Sequence, residues 1–422
     1  MAFLLTYLSV EKEYNKRTVI ARALLIFLLT LLTRLLLLYF TSLTHQGDLS
    51  VLINIDEARY IREAGEILSG NTLPWDVPLY PMFLAVFFRI FGMSYLLAST
   101  LNIILFSLAV GILYLTIAYF FNEARALITV FTMIIYPTLL IDILYPAAEG
   151  LYLFLMSFLF YTFLNYLEYE RKIYGALTAV ILGTLTLTKE TFIFFPIIVA
   201  AITFIKYFPN LKRPFKKIIF LITIYILMLL PLLIYNYRTY GKLSFSQKMI
   251  RVIGALPEDL ATINKGGVIA AEKRSPIFSI KDFLWERKRF FLGTGTFGLM
   301  RALRYDTKKL ELVADSPKDY FVVLREYGLG WRIFQYSALL FIISIFISSL
   351  FAMLVLLVKR RLKEAICFIL IMFYFLAVYS SRYNSRYFIA LVPFLALLSS
   401  YFYSLIYYYL RDKIKGKETG PI

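Results

Sequence analysis

Cysteine and histidine are almost absent: the 422 residues contain one of each, Cys367 and His45. A lone cysteine inside an apolar run forms no internal disulfide and builds no thiolate metal site. A lone histidine excludes a zinc site built on a histidine pair. Ionic chemistry must therefore rest on Asp, Glu, Lys, Arg and Tyr. Charge is scarce too, at 17% against about 25% in soluble domains. Acids are outnumbered by bases, 27 to 45, for a formal net charge of +18. In a soluble protein that excess would favour nucleic acid. Here the basic residues sit in short loops between apolar runs, as in the cytoplasmic loops of membrane proteins. No basic stripe lies on a soluble domain, so no nucleic-acid partner is expected. Internal repeats are also missing, which argues against the inverted halves of many transporters.

What abounds is apolar sequence, 60% of the chain. About 20 apolar residues at 1.5 Å rise cross a ~30 Å hydrocarbon core. Ten runs read as membrane helices: 18–43, 94–121, 125–145, 147–168, 173–188, 191–208, 217–237, 334–358, 362–380 and 387–409. The first is too long for a cleaved signal and has no small-residue cleavage site after it, so it reads as a retained anchor. Segment 79–92 is too short to cross and reads as an interfacial or re-entrant helix. The expectation is an all-α polytopic membrane protein of about ten transmembrane helices, with juxtamembrane helices in its first outer loop.

Charge parity sets the sidedness. With ten spans, the N-terminal basics, Arg171–Lys172, the Lys206–Lys217 cluster, Lys359–Arg361 and the tail from Arg411 share one side. If 79–92 crossed, the N-terminus would oppose every later basic loop. The positive-inside rule therefore puts both termini in the cytoplasm. The chain divides into an N-terminal membrane module, 1–237, carrying outer loop 44–93. An outer region, 238–333, follows, then the C-terminal helices and cytoplasmic tail, 334–422. Localisation in the plasma membrane is expected.

The outer side collects the informative charges. Asn54 and Glu57 have capping-box spacing, and they open a helix with Ile61, Ala64 and Leu68 on one face. Arg59/Glu63 and Arg62/Glu66 are i,i+4 pairs on the other face. This reads as an amphipathic helix on the membrane surface, with Asp56 in its first turn. Asp56 and Glu57 either favour the helix dipole or hold chemistry at the lipid–water boundary. Glu149, at an outer junction of two spans, needs a partner or exposure to water. Lys189 either pairs locally with Glu190 or grips a phosphate oxygen. Arg382 and Arg386 oppose the charge rule, and guanidinium groups match phosphate geometry; anionic lipid headgroups are the other reading. Arg22 is expected to snorkel inward, and Arg34 to pair inside the bundle.

Taken in order, these residues form a pattern. One span is followed by Asp56-Glu57-x-x-Tyr60, then by Pro78-Leu79-Tyr80-Pro81 leading to Phe91-Gly92. Glu149 follows the third span, and Thr188-Lys189 precedes a run reaching Phe195-Pro196. Leu230-Pro231, Asn236-Tyr237 with Gly241, and Arg386-Tyr387 with Pro393 complete it. The chain resembles GT-C glycosyltransferases of the protein O-mannosyltransferase and aminoarabinose transferase type. It departs from them in having Val77 where a proline often precedes Pro78, and it lacks the WWDYG-like motif of oligosaccharyltransferases.

The resemblance implies transfer of a sugar from a polyprenyl-phosphate donor to a lipid, glycan or protein acceptor outside, with inversion. It casts Asp56, Glu57 and Glu149 as the catalytic acids. Lys189, Arg382 and Arg386 become donor-phosphate contacts, and Tyr60 and Tyr387 position substrate. No cofactor is implied, although a divalent metal between Asp56 and Glu149 stays open. The rival readings are a lipid-linked sugar flippase or other transporter, and a non-catalytic scaffold.

Overall fold

The structure, a computed structural model, describes residues 16–44, 55–70, 77–210, 212–241, 243, 329–379 and 389–414. All regular elements among them are helical. They are α1 (Lys16–Thr44), α2 (Ile55–Leu68), α3 (Leu79–Phe91), α4 (Tyr95–Phe120), α5 (Glu123–Ile135), α6 (Pro137–Asp142) and α7 (Glu149–Tyr169). Then come α8 (Lys172–Thr188), a 3-10 turn (Glu190–Phe192), α9 (Phe195–Tyr207), α10 (Lys212–Tyr240), α11 (Leu329–Val358), α12 (Leu362–Tyr379) and α13 (Val392–Ile414). Seven of the described helices are long and apolar enough to cross a membrane. The protein is therefore a multi-pass membrane protein.

Two helices form the centre. α4 packs along both α1 and α7, and α7 also packs along α8. α10 covers α8, while α13 packs between α5 and α11. Lipid cannot satisfy polar groups, so hydroxyls inside the bundle turn back to their own helices. Thr30, Thr116 and Thr129 each donate to the carbonyl four residues earlier, at 2.7, 2.7 and 2.8 Å. Gly183 lets α10 approach α8: a Cβ there would stand 2.7 Å from Met228 Cβ.

The run 125–145, expected as one continuous helix, is broken into two. α5 ends at Ile135, and Tyr136 leaves the helical region before Pro137 starts α6. A residue before proline is pushed out of the helical region by the ring, which breaks the helix there. α3, at 13 residues, reaches only about 20 Å, as short as the sequence indicates.

The two intramembrane arginines find partners. Arg34 is fully buried, donates to the Ile134 carbonyl at 2.5 Å and lies over the Phe106 ring. Pairing inside the bundle is thus observed. Arg22 is held by Glu123 at the start of α5.

Candidate functional site

The site is built on the α7–α8 hairpin. Glu170 turns the chain between the two helices in the left-handed region, at φ 56°. α7 has 21 residues and α8 has 17. Two antiparallel helices of similar length return the chain to the level where it started. Glu149, the first residue of α7, therefore meets Lys189, the C-cap of α8. Lys189 Nζ lies 3.2 Å from Glu149 Oε1, with side-chain exposures of 14% and 4%. The ammonium also lies 4.6 Å from the centre of the Tyr152 ring, one turn into α7. Lys189 thus forms an ion pair across forty positions of the sequence.

Both partners are held by residues that sequence reasoning passed over. Asn102, buried in α4, donates to the carbonyls of Ile143 at 3.3 Å and Tyr145 at 2.8 Å. Its side-chain oxygen accepts the Gly150 N–H at 2.9 Å. One amide thus ties the loop before α7 to the residue after Glu149. Gly150 makes this possible: a Cβ there would stand 2.1 Å from Asn102 Oδ1 and 2.6 Å from its backbone oxygen. A signal did exist, because an amide inside the apolar run Leu101–Phe106 is expensive in a bilayer unless a polar partner faces it.

The turn carrying Lys189 is clamped from three helices. Thr186 donates to the Phe192 carbonyl at 3.4 Å, and Tyr225 of α10 donates to that of Ile193 at 3.2 Å. Tyr374 of α12 donates to the Thr191 carbonyl. Phe192 packs edge-on against Phe195 and Phe375. The aromatic cage fixes the direction from which the lysine enters.

The helix expected to be amphipathic has the expected apolar face, with one departure at Glu63. Glu57, Tyr60, Ile61 and Ala64 form a buried stripe of α2, at positions i, i+3, i+4 and i+7, and α2 packs on α3. Tyr60 meets Tyr80 edge-on, with centroids 5.1 Å apart. Glu63 is 2% exposed, so it does not join Arg59 on a solvated face. Arg59 instead lies 4.9 Å over the Tyr60 ring. Arg62 and Glu66 do form the exposed i,i+4 pair, at 3.6 Å. The sequence pattern could not separate the two pairs, because both have the same spacing and composition.

Asp56 lies in the first turn of α2; its side chain falls outside the description. Arg382, Arg386 and Tyr387 lie outside the described residues, as does Asn54. Among the described residues the structure brings Glu149 and Lys189 together and places Glu57 and Tyr60 side by side in α2. Also among the described residues, no three His, Cys, Asp or Glu side chains gather as metal ligands.

A second charged cluster marks the opposite end of the hairpin. Glu170 meets Arg213 at 2.6 Å and Lys217 at 3.6 Å, and Glu168 meets Lys206 at 3.7 Å. Burial pushes the Glu170 carboxyl up. Hydrogen bonds from Arg213 and Tyr207 and the charge of Lys217 outweigh this and hold it below its ordinary 4.5. A carboxyl depressed in the folded state adds stability above its unfolded value, and that stability is lost as pH falls through the folded one. Unfolding temperature should therefore decline below about pH 4.5, and less steeply in Arg213→Gln. Equal slopes for the two proteins would contradict this assignment.

No family model matches the chain, and no curated protein matches its sequence. Three solved structures match the chain. The apo oligosaccharyltransferase of Archaeoglobus fulgidus superposes with a TM-score of 0.53 at 15% identity over 97% of this chain. This chain spans 53% of that protein, about half its length. ArnT from Cupriavidus metallidurans bound to undecaprenyl phosphate gives 0.43 at 14% identity, covering 93% of this chain and 81% of that one. Its apo state gives 0.40 at 15%, covering 89% and 76%. The likeness to the oligosaccharyltransferase is one of fold. The all-α polytopic architecture agrees with the fold class expected from the sequence.

Proposed function

We propose that this protein is a membrane glycosyltransferase. It moves a sugar from a polyprenyl-phosphate carrier to a lipid, glycan or protein acceptor on the non-cytoplasmic face. The observation that carries this reading is the buried Glu149–Lys189 pair at the head of the α7–α8 hairpin, in a fold shared with an oligosaccharyltransferase. A cation kept at that depth by a carboxylate partner is suited to a phosphate oxygen of a lipid-linked donor.

In the reaction, the acceptor's nucleophilic atom bonds to the anomeric carbon as the bond to the phosphate oxygen breaks. The phosphate leaves with the electron pair, bound to its lipid. The acceptor proton passes to a carboxylate, for which Asp56 is the candidate base. Attack opposite the leaving group inverts the anomeric centre. A positioned base contributes ~10²–10⁴-fold. Lys189, with Arg382 and Arg386, stabilises the charge gathering on the leaving phosphate. Glu149 orients Lys189, Glu57 backs the first-turn acid, and Tyr60 and Tyr387 position substrate. The protein would sit in the plasma membrane with both termini inside.

The experiment uses the purified protein, polyprenyl-phosphate sugars and candidate acceptors, and follows release of polyprenyl phosphate. Asp56→Asn should lower turnover ~10²-fold or more. Undiminished release by that variant would remove Asp56 as base. The rival flippase predicts translocation of intact lipid-linked sugar with no bond cleavage at all.

A further inference from the structure

At the far end of α7, about 30 Å from Glu149 along the helix, the bundle holds a cavity. Its volume is about 750 Å³, within the ~300–1,000 Å³ of small-molecule sites. The ends of α1, α4, α7 and α8 enclose it. Its polar wall carries Tyr119, Tyr161, Asn165, Tyr169, Arg171 and Tyr174. The other wall is apolar, with Leu115 and Ala118 of α4 and Val19 and Ile20 of α1.

Among the cavity's lining residues the one charged side chain is Arg171. Glu168 is taken by Lys206, and Glu170 by Arg213 and Lys217. Arg171 stands between these acids in sequence, yet forms no ion pair among the described residues. Nor does its side chain cap α8. The Tyr119 and Tyr169 hydroxyls bond to each other at 2.6 Å. The hydroxyls of Tyr161 and Tyr174 make no hydrogen bond among the described residues and remain available to a ligand. The rim is open: Ile20 is 60% exposed and Tyr119 55%.

A guanidinium, two phenol donors and a long apolar wall fit an amphiphile with an anionic, hydroxyl-tolerant head. A free phosphate would use Arg171 and leave the apolar wall uncovered. We propose that this cavity binds the headgroup of an anionic phospholipid from the leaflet opposite the Glu149–Lys189 pair. Arg171 takes the phosphate, Tyr161 and Tyr174 bond the head's oxygens, and one acyl chain lies along α1 and α4. The site is separate from the one proposed for transfer and does not depend on it. Tyrosines at helix ends also occur as a plain interfacial belt, and the test distinguishes that case.

The full chain is embedded in nanodiscs of phosphatidylcholine containing phosphatidylglycerol, and retained lipid is counted by native mass spectrometry. One phosphatidylglycerol should stay bound in preference to phosphatidylcholine. Arg171→Gln should weaken its retention roughly tenfold, the share of one charge-assisted hydrogen bond. The pair Tyr161→Phe and Tyr174→Phe should weaken it a few-fold, with the fold intact. Lys359→Gln, in another basic turn, should leave retention unchanged. Soluble glycerol phosphate should fail to displace the lipid; full displacement would mean an anion site only and end the lipid assignment. Equal retention in Arg171→Gln and Lys359→Gln, or no preference over phosphatidylcholine, would overturn the proposal.

Discussion

Gly150→Ala is expected to abolish transfer and lower the unfolding temperature. The new methyl group would stand 2.1 Å from Asn102 Oδ1 and 2.6 Å from the Asn102 backbone oxygen. A flexible side-chain tip could swing away, but this amide is buried and carries three hydrogen bonds. The backbone oxygen cannot move without α4. Overpacking of this kind costs about 1–3 kcal/mol, and lost hydrogen bonds to buried groups add about 1–3 kcal/mol each. The shift falls on the residue next to Glu149, so the Lys189 contact is lost as well. The check is a cycle with Asn102→Ala. That variant removes the obstructing amide, so the double variant should be less damaged than the sum of the singles. Strict additivity would show that the two residues do not act on each other.

Lys189→Met carries the other large effect. Breaking a buried pair by removing one partner costs about 3–5 kcal/mol, because an uncompensated charge stays behind. Here that charge is Glu149, 4% exposed at its side chain. Replacing both partners is a different matter, since a buried pair exchanged for neutral groups is often neutral in stability. The double variant Glu149→Gln, Lys189→Met should therefore unfold near the wild-type temperature. Turnover should stay about 10²–10³-fold down in both proteins, the scale of losing one group that stabilises transition-state charge. Measuring unfolding temperature and release of polyprenyl phosphate side by side separates the roles. A stable double variant with full turnover would make the pair purely structural. Loss of turnover confined to the single variant would point the same way.

How much of this was legible beforehand depends on the range of the interaction involved. The helices over 95–120, 149–169 and 172–188 lie within a few residues of the apolar runs that mark them. The length of an apolar stretch against bilayer thickness is a local quantity. Glu149 and Lys189 could be singled out for the same reason, as charges next to apolar sequence where an unpaired ion is unfavourable. Their meeting could not be read. It depends on two helices of matched length running antiparallel from Glu170, and on which face of each turns inward. Asn102 carried a signal, as a lone amide in a long apolar run, but that signal names neither its partners nor the loop it holds.

The α2 helix shows the same division within fourteen residues. Its spacing presents two equivalent Arg/Glu pairs, and nothing local tells them apart. The tertiary fold does, burying Glu63 and leaving Glu66 in the open. Membrane insertion, helix content and the short list of charges able to do chemistry follow from hydropathy and residue type along the chain. Which of those charges touch, which are sealed from water and which amide holds the loop in place follow from contacts between segments tens to hundreds of residues apart. A linear pattern does not specify such contacts, because they exist only once helices have chosen neighbours and rotations.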